Sequence, residues 1–298
     1  MPSRNGIRPV FPGTQERWAQ VSGGRLRYLV GGTGPPLVLV HGIAASSFSF
    51  RLSCEALMRS FRVFVPDLMN VGYSDRILGL DGSLGATAAR MLEFLDQAGL
   101  EAADILGSSH GGSVVMELAA LAPERFRRMV LVSPANPFAA RYEAIIRFYL
   151  SAVGGAFMRA CPFMPGWMWD YGIGRMYANP SRMPPATGIG YARPLRQPGT
   201  IRHILGSLKS FGDDIEALRP RLPAMRKIPT LIIWGDRDPV VEIESGYQLQ
   251  LALGAEMAVI RDVGHLPYEE TSEEFNRILL EYLEKPFHHG GTASVSPW

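Results

Sequence analysis

The chain has 298 residues, 47% hydrophobic and 19% charged, which is enough for one large core or for a core carrying an inserted lobe. A formal net charge of +2 gives no reason to expect a nucleic-acid or other polyanion partner. The two cysteines, Cys54 and Cys161, lie far apart without a CxxC or Cys/His cluster, which argues against a structural metal site and a disulfide framework.

The N-terminal MPSRNGIRPVFPG has no apolar h-region, so no signal peptide is expected. No apolar run approaches the roughly 18 residues of a membrane span. The expectation is a soluble, cytoplasmic protein. Alternation over 17–32 predicts two short strands turned at Ser22-Gly23-Gly24. PPLVLVHG follows, a short apolar run closed by His41-Gly42, the signature of a strand buried on both faces. The same signature returns at 61–67, 103–109, 127–134, 229–236 and 255–262. Apolar positions at helical spacing fill Phe48–Arg59, Ser83–Ala98, Gly111–Leu121, Ile243–Leu253 and Glu269–Leu283. This alternation predicts an α/β fold: a mainly parallel eight-stranded sheet flanked by helices, with the opening hairpin as an antiparallel edge.

One stretch departs from that rhythm. Residues 137–223 lack short Val/Ile-rich runs and are rich in Pro, Gly, Met, Trp and Tyr. Such a segment has too many breakers for one helix and too many aromatics for a linker. It is expected to be an inserted cap of short helices. The predicted organisation is a core domain from 1–136 and 224–285, the cap at 137–223, and a frayed tail at 286–298.

Gly107-Ser108-Ser109-His110-Gly111 fits G-x-S-x-G, set between the strand-like ADIL and the helix-like VVMELAALA. On a tight strand-to-helix turn a serine hydroxyl is lifted to the positive end of the following helix, which suits a nucleophile. A serine needs a base. Of six histidines, His288 and His289 lie in the tail, His203 in the cap, His110 within the motif and His41 at a strand end. His265, on the loop after the last strand, remains the candidate. Loops at the carboxyl ends of parallel strands share one sheet edge, so His265 and Ser109 can meet there. The base needs an orienting carboxylate. Asp236 and Asp238 both follow a strand end; Asp236 suits the turn itself, and Asp238 is the better-placed candidate. The amides of Ile43 and His110 are candidate donors to an oxyanion.

In order, HG at 41–42, GSSHGG at 107–112, GDRD at 235–238 and GH at 264–265 resemble the successive landmarks of the α/β-hydrolase fold family, over about residues 16–284. The resemblance implies Ser109 as nucleophile on the nucleophile elbow, His265 as base, Asp238 as acid, Ile43 and His110 as the oxyanion hole, and 137–223 as the lid. Asp67–Ser74 resembles the family's D-x-x-G-x-G-x-S turn, with Asn70 in place of the first glycine, a departure that bears on loop shape. A serine at 109 sets the chain apart from members with an aspartate nucleophile, such as haloalkane dehalogenases and epoxide hydrolases.

Phe138, Trp167, Met168 and Trp169 of the cap are candidate walls of an apolar substrate pocket. Arginines of the cap, among them Arg141, Arg147, Arg159, Arg175, Arg193 and Arg196, read first as a solvated surface, and one of them would suit a substrate carboxylate. The leading expectation is a serine esterase for small apolar acyl esters, needing neither cofactor nor metal. The alternatives are a carbon–carbon bond hydrolase of a β-diketone or dienoic acid, a cofactor-free perhydrolase, and a ligand receptor without turnover.

Overall fold

A computed structural model describes residues 10–286. The expectations for the first nine residues and for the tail beyond Pro286, with His288 and His289, lie outside the described residues.

Eight strands form one sheet: β1 Thr14–Val21, β2 Gly24–Gly31, β3 Pro36–Val40, β4 Arg62–Pro66, β5 Ala103–Ser108, β6 Phe126–Val132, β7 Thr230–Gly235 and β8 Glu256–Ile260. Their order is β1-β2-β4-β3-β5-β6-β7-β8. The first two strands are antiparallel to their neighbours, and every pair from β4 onward is parallel. Period-two alternation sends Val38 and Val40 to one face and Leu37 and Leu39 to the other, so a strand apolar throughout feeds both cores. At the edge, β1 alternates exposed and covered residues instead.

The helices in chain order are α1 Cys54–Leu57, α2 Leu84–Gln97, α3 His110–Leu121, α4 Tyr142–Leu150, α5 Ala152–Ala160, α6 Gly166–Gly174, α7 Thr187–Leu195, α8 Thr200–Glu216, α9 Leu222–Met225, α10 Ile243–Leu253, α11 Pro267–Glu270 and α12 Ser272–Leu283. Helices α2, α3 and α10 cover one face of the sheet and α12 the other. Two expected helices are broken. Over 48–59 there is a 3-10 turn at Ser47–Phe50 and the single turn of α1. Here local side-chain bonds compete with helix formation: Ser46 Oγ accepts from Phe48 N, and Asp67 Oδ1 accepts from Ser47 N at 2.6 Å. The last helix divides at Thr271, beside Glu269 and Glu270, whose carboxylates turn inward.

Between β6 and β7 the chain is helical, from α4 to α9, and contains no strand. Its small apolar cluster joins Met158, Cys161, Leu195, Ile204 and Leu208, and Ile43 of the core packs against it. The C-terminal half of α8 joins the main core instead, through Phe211 and Ile215. A buried polar clamp fastens this segment to the core. Glu269, 3% exposed, accepts hydrogen bonds from Tyr177 Oη (2.6 Å), Tyr191 Oη (2.6 Å) and the Arg51 guanidinium. Arg51 also donates to Thr187 Oγ1 at 2.8 Å. The carboxylate and burial together push both tyrosines well above their usual range, so they remain donors. Removing the charge from Glu269 leaves Arg51 buried without its counter-ion. Glu269→Gln should lower stability by on the order of 3 kcal/mol in urea unfolding; a loss under about 0.5 kcal/mol would show that the clamp contributes little.

Candidate active site

The strand-to-helix turn after β5 is strained where the sequence places its serine. Ser109 has φ 54° and ψ −123°, a conformation that L-residues rarely adopt. The backbone around it is pinned. Ser109 N donates to Val132 O on β6 at 2.9 Å, and Ser109 O accepts from Gly112 N (2.9 Å) and Ala135 N (3.2 Å). Glycines make the turn possible by close approach. A β-carbon on Gly107 would lie 2.3 Å from Gly111 O, and one on Gly111 would lie 2.4 Å from Val40 O. The serine side chain faces the end of β3: a β-carbon on Gly42 would be 3.2 Å from Ser109 Cβ and 3.8 Å from Oγ. Neither Ile43 N–H nor His110 N–H has an acceptor among the described residues. His110 N–H is the first amide of α3 and has no intrahelical partner, and Ile43 N–H lies on the loop after β3, so both are available to an anion beside Ser109.

On the loops after β7 and β8 a carboxylate and an imidazole meet. His265 Nδ1 and Asp238 Oδ2 are 2.8 Å apart, with both residues buried. The other carboxylate oxygen, Asp238 Oδ1, accepts from Val240 N (2.8 Å) and Val241 N (3.0 Å). The carboxylate is thus oriented by three donors, and this contact favours the imidazole tautomer that carries its proton on Nδ1. Asp236 does not share this contact; its Oδ1 is buried without a partner. Among the described residues no hydrogen bond joins Ser109 Oγ to His265. Such contacts are commonly long without substrate.

The helical segment between β6 and β7 reaches this pair directly. His265 N donates to Met176 O at 2.7 Å, and Glu270 accepts from Gly264 N (2.8 Å), Ala178 N (3.0 Å) and Asn179 N (2.8 Å). Arg141 Nη1 donates to Asp238 O at 3.3 Å. Sequence reasoning missed Met176 and Glu270 as neighbours of the site, and it offered Arg141 to a substrate carboxylate, whereas its guanidinium bonds the Asp238 carbonyl. Only the adjacent acids at 269–270 left any trace in the sequence, and they read as a helix start.

His110 points away from Ser109. Its ring stacks on Phe211 (centroids 5.7 Å apart) in a cavity shared with His41, His203, Arg90 and Ser207. Burial, reinforced by His41 and His203, lowers the His110 pKa to about 4. His41 is also lowered by burial; its Nδ1 bonds Gly42 O at 2.8 Å and its Nε2 accepts from Leu68 N at 3.1 Å, bracing the loop that carries Ile43. The Asp67 turn keeps a glycine-like shape despite Asn70, which takes φ 61° and is fixed through Ile77 N→Oδ1 (2.6 Å) and Nδ2→Ile77 O (2.8 Å).

The expected pocket walls are placed differently. Trp167 and Met168 are 69% and 36% exposed on the outside of α6, because that helix buries Ile173 and Gly174 instead. Trp169 is held within the cap by Nε1→Cys161 O at 2.8 Å. Phe138 packs against the main core under Arg219, whose Cζ is 4.9 Å from its ring.

The strand order, the strained turn after β5 and the loops after β7 and β8 together define an α/β-hydrolase architecture. A family model described as alpha/beta hydrolase fold matches residues 35–161. The chain is 26% identical to lipase 3 of Moraxella sp. over 81% of this chain and 75% of that protein. It is 29% identical to haloalkane dehalogenase 2 of Mycobacterium tuberculosis over 75% and 78%. The solved structure of 2-hydroxy-6-oxo-6-phenylhexa-2,4-dienoate hydrolase from Rhodococcus sp. shares the fold with a TM-score of 0.77 at 23% identity, covering 91% of this chain and 98% of that one. The chain has the α/β-hydrolase fold and is similar to proteins of that family over most of its length.

Two measurements test the site's construction. The folded pKa of His110 lies below the value near 6.5 of an unfolded histidine. The unfolded state therefore binds more protons between those values. The contribution of His110 is complete above about pH 6.5 and falls by about 1.4 kcal/mol per unit as pH drops toward 4. An NMR titration should find its ring resonance unmoved from neutral pH to about pH 5, and movement there would show an exposed ring. Gly111→Ala forces its new methyl into Val40 O, so it should destabilise by roughly 3 kcal/mol or more in urea unfolding. A variant as stable as the parent would mean that the turn does not depend on that approach.

Proposed function

We propose that the protein is a serine hydrolase cleaving small, largely apolar carboxylic esters through an acyl-enzyme, with residues 137–223 as its cap. The observation that carries this reading is the buried His265–Asp238 hydrogen bond, 2.8 Å long, with the second carboxylate oxygen held by two backbone amides. A carboxylate fixed in this way serves to orient an imidazole and to stabilise it once protonated.

Ser109 Oγ attacks the ester carbonyl carbon while His265 Nε2 takes the hydroxyl proton. The carbonyl oxygen becomes an oxyanion facing the Ile43 and His110 amides, each contributing on the order of 3 kcal/mol to the transition state. As the tetrahedral intermediate collapses, the imidazolium returns its proton to the departing alkoxide, and alcohol leaves. Water then attacks the acyl-serine with His265 as base; the serine oxygen regains a proton and the carboxylic acid departs. The protons balance, and no redox partner or cofactor is needed.

The preference for apolar acyl groups rests on the neighbourhood. The Ile43 side chain packs against an apolar cluster of the cap that includes Met158, Ile204 and Leu208. Similarity to a protein named as a lipase supports ester chemistry. Similarity to one named as a haloalkane dehalogenase does not redirect the reading, because the elbow carries a hydroxyl and not a carboxylate.

A fluorophosphonate probe should label the protein at Ser109, and p-nitrophenyl butyrate should be hydrolysed. Ser109→Ala should lose both, with kcat down by about 10⁴-fold or more and unfolding unchanged. Retained turnover would reject the nucleophile. Asp238→Asn should lower kcat by about 10⁴-fold while Asp236→Asn stays within about tenfold; the reverse order would move the acid to Asp236.

A further inference from the structure

The outer surface of the cap is apolar where it faces solvent. Among the described residues sixteen large hydrophobic side chains are exposed, and nine of them fall within 145–171, less than a tenth of the chain. Phe148, Val153, Phe157, Phe163, Trp167 and Tyr171 are between 43% and 73% exposed. They lie on α4, α5, α6 and the turn between the last two. Single exposed apolar residues need no explanation, but a concentration of this kind marks an interaction surface. Helices α4 and α5 together match the composition of a membrane segment, yet they are bent by 82° at their junction. No single helix among the described residues is long and apolar enough to cross a bilayer. A short bent pair with an apolar outer face is suited to lying in an interface.

Charge says which interface. Residues 141–209 contain nine basic side chains (Arg141, Arg147, Arg159, Arg175, Arg182, Arg193, Arg196, Arg202 and Lys209) and two acidic ones (Glu143 and Asp170), a balance of +7. The whole chain carries +2, so the remainder carries −5. Part of the apolar set shares one surface with the basic groups. A cleft of about 1070 Å³ brings Leu150 and Phe163 together with Arg159, Arg202 and Lys209, facing the exposed Ile77 and Leu78 of the core. Arg159, Arg202 and Lys209 form no ion pair among the described residues. Exposed Trp and Tyr beside arginines suit the boundary between headgroups and acyl chains.

We infer that the cap docks on an anionic phospholipid surface, with the apolar side chains of α4, α5 and α6 entering the headgroup region and the surrounding arginines and lysine meeting lipid phosphates. A second copy of the chain fits this face less well. A twofold interface would set the same excess of positive charge against itself. The inference does not depend on the hydrolytic reading, since binding is measured without turnover.

The test is co-sedimentation of the full chain with vesicles of equal parts phosphatidylcholine and phosphatidylglycerol, against vesicles of phosphatidylcholine alone. Binding should be at least tenfold tighter to the anionic vesicles and should weaken as salt is raised. The triple variant Val153→Glu, Phe157→Glu and Phe163→Glu alters exposed positions, so it should keep its circular dichroism spectrum and lose binding at least tenfold. Arg159→Ala with Arg202→Ala and Lys209→Ala should reduce the preference for anionic lipid. Equal binding to both vesicle types, no binding, or a triple variant that binds like the parent would overturn the proposal. So would a dimer in light scattering that the triple variant dissolves, with no vesicle binding by the parent.

Discussion

The site is organised around a backbone held where L-residues rarely go. Ser109 at φ 54° stores strain that its neighbours must hold in place. The holding groups are general features of the fold: a ladder bond to β6, the first turn of α3, and the approach of Gly111 to β3. That one constraint delivers three things together. The hydroxyl stands clear of the sheet edge, the His110 amide is left unpaired beside it, and the His110 side chain is sent into a cavity on the other side. The same constraint explains why small residues crowd a segment that could have been apolar core.

His265 is positioned from two sides. Asp238 orients the His265 ring from the core, while the backbone of His265 hangs from Met176 in the cap and Gly264 from Glu270, which also holds Ala178 and Asn179. Glu269, the next residue in the chain, closes the clamp to Arg51, Tyr177 and Tyr191. Attachment of the cap is therefore uneven. The 176–191 end is riveted to α11 and the loop after β8 by buried charge-assisted bonds, whereas α4 and α5 present most of their surface to solvent. Opening at the riveted end would move His265 itself. Any freedom the cap has must lie on the α4–α5 side.

The legible parts of the sequence were those where one local rule dominates. Strands buried on both faces announce themselves as apolar runs, and all eight strands lie within a few residues of their expected places; β8, read in the same way, is instead an edge strand that exposes Glu256 and Val259. The glycine pattern around Ser109 is legible because backbone approach admits no substitute. Asp238 was separable from Asp236 because a residue directly on the turn has less reach than one two positions further out. The cap resisted because its aromatic residues carry no marker of direction. Trp167 and Trp169 are two positions apart, yet one is 69% exposed and the other is tied to Cys161 O. Which side of a short, breaker-rich helix faces inward is decided by partners far away in sequence, and the same holds for the Glu270 contacts to 178–179.

Net charge conceals a related asymmetry. A value of +2 gives no reason to expect a polyanion partner, yet it is the sum of +7 over 141–209 and −5 elsewhere. Electrostatic attraction falls off within about 8–10 Å at physiological salt, so a surface is felt locally and not as a whole-chain average. The cap also differs from the core in what balances its cations. Core arginines such as Arg27 and Arg51 sit beside carboxylates, at Asp67 and Glu269. Residues 141–209 have two carboxylates for nine cations, and Asp170 is already engaged with Gly188 N. Even with Arg182 paired to Glu270, the surplus of cations lies in a segment whose exposed Phe, Trp and Tyr leave apolar area in water, and the proposed contact with a surface both oily and acidic would complement both features.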